Sequence, residues 1–405
     1  MPDIAIVGTG ISGIQLALRL QQAGAATTVY AERSLAKVAA GPPMNMVVRF
    51  GQSRQRERDL GVDHWTSEDS DVLGINFAAE TEPPLGFFGR FDQPGSAVDF
   101  RIYLPRLVED YIERGGDLKI MDIDVPTVEG LAQRHDLVVV AAGRNGLTGL
   151  FPRDERRSEF TEPQRRLTAG FYHGIAPIDP SWVHFQLIPG VGEIFGTKVL
   201  TFGGPIHGMV IEGVPGSPLE ALSRLDHTQD LAAFNRTVLE LVTAYAPQLR
   251  DRIDEREFGL ARPIDLLQGA ITPTVRKAWT RLGNGRLAMT VGDAWVLNDP
   301  VAGQGANLGS RSTALLAEEI LANETYDEQF CQQAEDKMWA SAEPVVNWSN
   351  ALLGPPPEPM VEVLSRAGTD RRIADGFVEN FNRPEEMWEM VGAPESTKAW
   401  LAKFD

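Results

Sequence analysis

Cysteine, histidine and positive charge are scarce in this sequence. The 405 residues include one cysteine, Cys331, so the chain can form no internal disulfide and no cysteine-ligated metal cluster. Its six histidines show neither metal-ligand spacing nor a Ser/His/Asp arrangement, and we expect no metal site. Lys and Arg number 38 against 56 acidic residues, for a net charge of −18. This balance argues against nucleic acid or an anionic membrane as a partner, because both attract a positively charged face.

Long apolar runs are also missing. No stretch approaches the roughly 18–20 apolar residues that a membrane span needs. The opening residues MPDIAIVGTG contain no basic segment followed by an apolar one, so they do not have the pattern of a signal peptide. We therefore expect a cytoplasmic protein that does not cross a membrane. The hydrophobic share of 43% is that of an ordinary globular chain with one large or two closely associated domains.

A glycine loop, GTGISG, occupies residues 8–13. An apolar run precedes it, a helical pattern follows, and the next β-branched run ends at Glu32, nineteen residues after Gly13. This order is the dinucleotide-binding fingerprint: Gly8 permits a tight turn, Gly10 lets a pyrophosphate approach, and Gly13 allows close helix–strand packing. Glu32 is placed to accept a hydrogen bond from a ribose hydroxyl. The loop by itself does not distinguish NAD from FAD.

A second glycine loop, GDAWVLNDPVAGQGAN, occupies residues 292–307. It follows an apolar strand pattern and precedes an amphipathic helical pattern. Asp293 at the strand end can bind a ribityl or ribose hydroxyl, and backbone N–H groups at the helix start can stabilise partial negative charge on a flavin ring. A single cofactor that spans both loops explains both. FAD is such a cofactor, with its AMP end at the first loop and its flavin at the second.

Taken in order, the two loops and the run VVVAAG resemble the FAD fold of flavoprotein hydroxylases. More narrowly, the chain resembles the oxygenase component of the two-component styrene and indole monooxygenases over nearly its whole length. PMNMVV near residue 45, QPGSAVDFRIYLPRL, DLLQGAITP and FVENFNRPEEMW at 377–388 carry this resemblance. The last segment lies outside any general flavin motif, which makes the match specific. One departure is Pro42-Pro43, where the family carries a basic residue.

The resemblance implies an α/β fold of the glutathione-reductase and p-hydroxybenzoate-hydroxylase type, with a FAD-binding Rossmann fold, an inserted mixed β-sheet substrate domain and a helical C-terminus. The implied divisions are a FAD-binding domain at 1–158 and 265–340, a substrate-binding domain at 159–264 and a helical region at 341–405, with 46–95 contributing to the pocket. Short runs punctuated by Gly and Pro indicate antiparallel strands in the insertion. Several apolar side chains are expected in the structural core: Trp182, Phe185, Phe195, Phe202 and Cys331.

The resemblance also implies an activity. A separate NADH-dependent flavin reductase consumes NADH and supplies reduced FAD, and O2 adds at C4a to give a hydroperoxyflavin. One oxygen atom is then transferred to the vinyl or ring double bond of a styrene-like alkene or indole, forming an epoxide; sulfoxidation of aryl sulfides is also expected. This chemistry needs a dry cavity and an oriented substrate more than acid–base side chains. Whether the chain forms a homodimer is left open.

Candidate site residues follow from the two loops and from the resemblance. The cofactor-binding set is Gly8, Gly10, Ile11, Ser12, Gly13, Glu32, Arg33, Arg101, Gly143, Asp293, Pro300, Gly303, Gln304, Gly305, Ala306 and Asn307. The substrate-binding set is Asn45, Val47, Val72, Ile75 and Ser96. The catalytic set is Asn45, Gln304 and Gly305. Asn45, Val47 and Ser96 resemble the styrene subgroup, whereas Ile75 resembles the indole subgroup.

Two other functions stay open at this point. One is a single-component aromatic hydroxylase that binds NAD(P)H itself; rapid NADH oxidation by the isolated protein with FAD would select it. The other is a non-catalytic carrier on the same fold, which failure to bind FAD in either redox state would support. The second glycine loop argues against a carrier.

Overall fold

The computed structural model describes residues 2–143, 146–176 and 181–405. Its strands are β1 (Asp3–Val7), β2 (Ala26–Ala31), β3 (Val48–Arg49), β4 (Asp71–Ala79), β5 (Leu85–Ala97), β6 (Asp117–Ile120), β7 (Leu137–Val140), β8 (Arg166–His173), β9 (Val183–Ile188), β10 (Gly192–Thr201), β11 (Gly204–Gly213), β12 (Gly259–Leu260), β13 (Leu266–Ala270), β14 (Thr274–Val275), β15 (Trp279–Arg281), β16 (Leu287–Thr290) and β17 (Val296–Leu297). Its helices are α1 (Ile11–Gln22), α2 (Leu35–Ala39), α3 (Gly51–Asp59), α4 (Phe100–Glu113), α5 (Val125–Ala132), α6 (Leu231–Tyr245), α7 (Pro247–Arg250), α8 (Gly305–Ala322), α9 (Glu328–Ala351), α10 (Glu358–Ala367), α11 (Arg371–Glu379), α12 (Pro384–Val391) and α13 (Pro394–Leu401).

The first sheet has the strand order β15-β16-β7-β1-β2-β6. All its neighbouring strands are parallel except β15, which runs antiparallel to β16 at the edge. The central strand β7, LVVV, is buried at every position, as expected where helices cover both faces of a parallel sheet. The carboxyl ends of β1 and β16 lead into the two glycine loops. Both loops therefore lie at the same edge of this sheet.

The second sheet is mixed, with the order β12-β8-β11-β10-β9-β4-β5-β3 and β13 paired to β8. Strands β4 and β9 are parallel, and the other pairs are antiparallel. The sheet thus joins strands from residues 48–97 to strands from 166–270. The expectation for Phe202 was wrong: this residue occupies the tight turn between β10 and β11 and is 57% exposed, because a two-residue connection leaves no space to fold its ring inward.

The C-terminal helices pack on the second sheet. Helix α11 approaches β5 so closely that a Cβ at Gly89 would lie 2.3 Å from the carbonyl oxygen of Ala374. Cys331 lies in α9 and is fully buried, which confirms its structural role. None of the helices in the described part of the chain combines the length and the apolar character that crossing a membrane requires. The α/β fold expected from the sequence, with a mixed sheet and a helical C-terminus, is confirmed.

Candidate cofactor and substrate site

A cleft of about 280 Å³ opens where the first glycine loop leaves β1. Gly8 has φ +113°, and a Cβ at Gly13 would lie 2.1 Å from the carbonyl oxygen of Gly8, so glycine is required at both positions. Gly10 differs, because the nearest atom to a Cβ there is the Ala141 carbonyl oxygen at 4.0 Å. A side chain at Gly10 would project into the cleft. The loop therefore keeps its backbone accessible to a ligand.

Two helix N-termini reach this cleft. Helix α1 begins after Gly10 and helix α8 after Gln304, and neither N-terminus has a side-chain cap. Ile11 and Ser12 of α1 line the cleft together with Gly305 and Ala306 of α8. The first N–H groups of a helix lack intrahelical acceptors and carry partial positive charge. Both ends of the cleft are therefore suited to negatively charged groups such as phosphate or an electron-rich ring.

The Ser12 side chain lies where the first glycine loop packs against the second loop and helix α8. A Cβ at Gly292 or at Gly309 would lie 2.4 Å from the Ser12 Oγ. Helices α1 and α8 can therefore pack in contact only because Gly309 of α8 lacks a side chain, and Gly292 likewise lets the start of the second loop approach Ser12. This contact sets the relative position of the two helix N-termini.

Acidic side chains lie at opposite parts of the cleft. Glu32 follows β2 and lines the cleft beside Arg33, next to the first loop. Asp293 lies at the other end, near the start of α8. Desolvation raises the pKa of Asp293, although its side chain remains exposed to the cleft, because the surrounding protein excludes much of the bulk water. The two carboxylates thus lie at separate parts of the same cleft, and the ribose and ribityl roles expected of them stay predictions.

A second, apolar cavity of about 400 Å³ adjoins the cleft. This volume is within the usual range for small-molecule sites. Its walls come mainly from the second sheet and include the side chains of Val47, Val183, Phe185, Phe195, Leu267 and Leu297. The cleft and the cavity share five lining residues: Met44, Asn45, Asp293, Gly305 and Ala306. A ligand that fills the cleft would therefore present one end to the apolar cavity.

Asn45 lies at this junction with an unused acceptor. Its Oδ1 is buried and has no hydrogen-bond partner among the described residues. Buried polar atoms are nearly always hydrogen-bonded in folded proteins, so an unpartnered oxygen beside a cavity points to a missing ligand. The residues present thus fit a long cofactor with a polar end and a ring end.

Comparison with known proteins identifies the family. The family described as "Styrene monooxygenase A putative substrate binding domain" matches residues 143–252. The chain is 34% identical to the styrene monooxygenase StyA of Pseudomonas fluorescens, across 99% of this chain and 98% of the relative, and a Pseudomonas sp. homologue gives the same values. The chain belongs to the styrene monooxygenase family.

Two solved structures resemble the chain in fold. A p-nitrophenol 4-monooxygenase from Pseudomonas putida DLL-E4 superimposes with a TM-score of 0.64 at 13% identity, covering 95% of this chain and 99% of that one. A ternary complex of aklavinone-11 hydroxylase with FAD and aklavinone gives 0.59 at 16% identity, covering 87% and 68%. These likenesses show the fold. As a member of the styrene monooxygenase family, the chain is a FAD-dependent monooxygenase.

Within this monooxygenase, the cleft gathers most of the residues expected at the cofactor. Lining it are Gly8, Gly10, Ile11, Ser12, Glu32, Arg33, Gly143, Asp293, Gly305 and Ala306. Pro300 and Gly303 instead line the apolar cavity, in the loop that precedes α8. Gly13 packs under Gly8. The roles assigned to these residues stay predictions.

Three expected cofactor residues direct their side chains to protein partners. Arg101 is 1% exposed, and its guanidinium donates to Asp99 and, at 2.7 Å, to Asp265. The Gln304 side-chain amide donates to the Phe381 carbonyl oxygen at 3.0 Å.

Asn307, the third, accepts hydrogen bonds through its Oδ1 from the Phe50 N–H at 3.0 Å and from the Ser53 hydroxyl at 2.7 Å. Its Nδ2 donates to the carbonyl oxygens of Val48 and Gly303, both at 2.9 Å. These contacts fix the loop from the outside, so Asn307, like Gln304, lies beside the cavity as a support.

The residues expected to bind substrate also fall into two groups, those that line the apolar cavity and those that do not. Asn45, Val47 and Ile75 line the apolar cavity. Val72 is fully buried outside it, and the Ser96 hydroxyl accepts a hydrogen bond from Arg49 at 2.8 Å. The cavity therefore receives side chains from one part of that set only.

Sequence reasoning missed several walls of the cavity. Phe185 and Phe195 were expected in the core, but they stack at 5.5 Å on the sheet face that borders the cavity. Alternation along a strand indicates which residues share a face, but it does not say whether that face meets another layer or a cavity. Phe381 also lines the cavity. Its segment, FVENFNRPEEMW, contributed to the family resemblance, but nothing in its sequence pattern predicted that an aromatic ring would border the cavity.

Proposed function

We propose that this monooxygenase epoxidises styrene-like aryl alkenes with reduced FAD delivered by a separate NADH-dependent flavin reductase. The junction of the dinucleotide cleft with the apolar cavity at Asn45, Asp293, Gly305 and Ala306 carries this proposal. In the proposed arrangement, the ring end of a bound cofactor lies against an apolar chamber. Relatives that share 34% identity over nearly the full chain are styrene monooxygenases, which supports the same substrate class.

The chain's own residues bind and orient the cofactor in this proposal. Gly10 and the α1 N-terminus would hold the pyrophosphate, Glu32 the ribose and Asp293 the ribityl chain. The α8 N-terminus at Gly305 would stabilise negative charge on the ring. Reduced FAD, when bound, activates molecular oxygen for transfer to the substrate.

The apolar cavity is proposed to exclude water from the reacting atoms and to orient the substrate. Its apolar walls hold an aromatic ring by burial of apolar surface and keep bulk water from the reacting atoms. Asn45 is the polar side chain at the boundary, and its free Oδ1 orients the cofactor edge or the substrate beside it. No proton donor is required of the cavity walls for oxygen transfer to an alkene.

The reductase is proposed as a separate partner because the chain is 34% identical over nearly its whole length to styrene monooxygenases, which the family resemblance describes as two-component enzymes. The single dinucleotide fingerprint is consistent with this arrangement, although single-component hydroxylases also carry one. The rival arrangement, a single-component hydroxylase, requires NAD(P)H to reach the flavin in the same polypeptide. The two arrangements make different predictions for NADH consumption without a reductase.

A coupled assay tests the proposal. The protein is mixed with FAD, NADH and a generic flavin reductase, and styrene oxide formation from styrene is compared with indigo formation from indole. We expect styrene oxide, dependent on both proteins. H2O2 with no oxygenated product would overturn the substrate class, NADH oxidation without the reductase would select the single-component hydroxylase, and failure to bind FAD would select the carrier.

A further inference from the structure

Another apolar cavity, smaller at about 50 Å³, lies between the second sheet and the C-terminal helices. It is separate from the dinucleotide cleft. Gly354 and Pro356, which are exposed, form one end of it. From there it extends inward between Met360, Leu364 and Phe377 toward the sheet. We call it the distal cavity, and the larger one beside the cleft the proximal cavity.

The two cavities are separated by a wall one side chain thick. Ile75, Phe185, Val301 and Phe381 line both of them. Ile75 comes from β4, Phe185 from the neighbouring β9, Val301 from the second glycine loop and Phe381 from the segment after α11. Each of these side chains therefore has one face toward the substrate chamber and another toward the distal cavity.

Among the described residues, the distal cavity has no unpaired charged side chain in its lining. Glu193 is the one charged residue among those that line it in the described part of the chain. Its carboxylate is buried and accepts hydrogen bonds from the Arg165 guanidinium at 2.7 and 2.8 Å. A paired carboxylate of this kind does not solvate a ligand, so the space is suited to hydrocarbon.

We propose that the distal cavity is a second, uncharged part of the substrate site, that it accepts an apolar substituent carried by the aryl alkene, and that the wall sets the longest substrate the enzyme turns over. This inference rests on the proposed function. A compact substrate lies within the proximal cavity alone. A substrate with an alkyl chain opposite its vinyl group reaches the wall and enters the distal cavity only as far as the wall side chains permit.

The wall residues differ in how firmly they are held. Phe185 stacks between Phe77 at 5.6 Å and Phe195 at 5.5 Å, so its ring is fixed from both sides. Phe381 packs against Trp348 with ring centroids 4.8 Å apart. Ile75 has no such stacking partner and belongs to neither glycine loop. It is the wall residue whose removal joins the two cavities with least change to the flavin end.

The test compares wild type with Ile75→Ala. The measured quantity is kcat/KM for 4-butylstyrene divided by kcat/KM for styrene, in the reductase-coupled assay. We expect this ratio to rise roughly tenfold or more in Ile75→Ala, since a few methylenes in an apolar pocket discriminate by that order. Val363→Ala is the matched control, because Val363 is buried in the same apolar cluster but lines neither cavity.

A ratio in folded, FAD-binding Ile75→Ala equal to that of wild type would overturn the inference. A rise of the same size in Val363→Ala would overturn it as well, since general loosening of the core would then explain the effect. If Ile75→Ala does not fold, Phe381→Leu opens the wall from its other side and is judged by the same ratio. Lack of styrene oxide from wild type refutes the proposed function. Styrene oxide formation together with the same 4-butylstyrene to styrene ratio of kcat/KM in wild type and Ile75→Ala refutes this inference alone.

Discussion

Glu212 on β11 and Asp299 in the second glycine loop are neighbouring buried carboxyl groups. Glu212 is fully buried and Asp299 is 1% exposed, and both Glu212 oxygens and Oδ2 of Asp299 find no donor among the described residues. The nearby guanidinium of Arg165 is already held by Glu193. Burial, together with repulsion between the acids, raises the pKa of Glu212 well above its usual range, and burial raises that of Asp299 to about 6. A proton shared by the pair would supply the missing donor and tie the loop to the second sheet.

This pair predicts a loss of stability as pH rises. The folded state holds the proton more tightly than the unfolded chain, so the stabilisation is complete below the unfolded pKa values near 4 and is lost as pH rises through the folded pKa of Asp299, about 6. Glu212→Gln keeps a neutral donor at every pH. We expect its Tm to fall less than that of wild type between about pH 4.5 and 7, and the slopes of unfolding free energy against pH to differ by up to about 1.4 kcal/mol per pH unit for one proton. Exposed Glu240→Gln is the control, and parallel profiles for wild type and Glu212→Gln would contradict the shared proton.

His207 predicts a loss of stability in the opposite direction. Burial, helped by the adjacent His184 and Arg252, lowers the pKa of His207 to about 3. Its folded pKa is below the unfolded value of about 6.5, so neutral His207 is favourable above pH 6.5 and costs stability as pH falls toward 4. Replacement by Gln should make the acid-side fall in Tm shallower. Exposed His173→Gln should leave that slope unchanged, and an equal change in both variants would rule out burial of His207 as the cause.

Close packing between α1 and α8 predicts that Gly309→Ala is destabilising. The new Cβ would lie 2.4 Å from the Ser12 Oγ but 3.8 Å from its Cβ. We expect a loss of about 1–3 kcal/mol, the usual range for overpacking. Because only the hydroxyl clashes, Ser12→Ala in the same chain should recover most of it. Urea unfolding of the single and double variants measures both effects, and a double variant no more stable than Gly309→Ala would show that the clash is elsewhere.

Asn45→Ala is expected to affect coupling more than cofactor binding. Its Oδ1 is the unpartnered acceptor where the cleft meets the proximal cavity, so its loss should disturb orientation at the reacting end. We expect about 2–10-fold less epoxide per NADH, the range for loss of one hydrogen bond, with the remaining NADH recovered as H2O2. FAD affinity, measured separately by fluorescence titration, should change less. Equal losses in epoxide yield and FAD affinity would contradict this role.

Local signals were sufficient to predict the first strand–helix–strand unit and its cleft, whereas the overall fold was predicted from the family resemblance. The first loop, its helix and Glu32 lie within one strand–helix–strand unit, so spacing alone located them. Side-chain direction could not be read in the same way. Arg101 is directed by Asp265, 164 residues away, and Gln304 by the carbonyl group of Phe381, 77 residues away. Such partners are known only once the sheets and helices have packed.

The second glycine loop also bears on the order in which the molecule assembles. Asn307 binds the backbone near Phe50, and Gln304 binds the backbone at Phe381, so the loop joins the early chain to its last helices. Strand β16, which precedes the loop, pairs with β7 across a long stretch of sequence. Contacts so distant in sequence form slowly, because much loop entropy is lost before they can be made. During synthesis the end of the cleft at Gly305 can therefore reach its final form only after Phe381 has emerged from the ribosome, so a segment made late in synthesis sets when the cleft is complete.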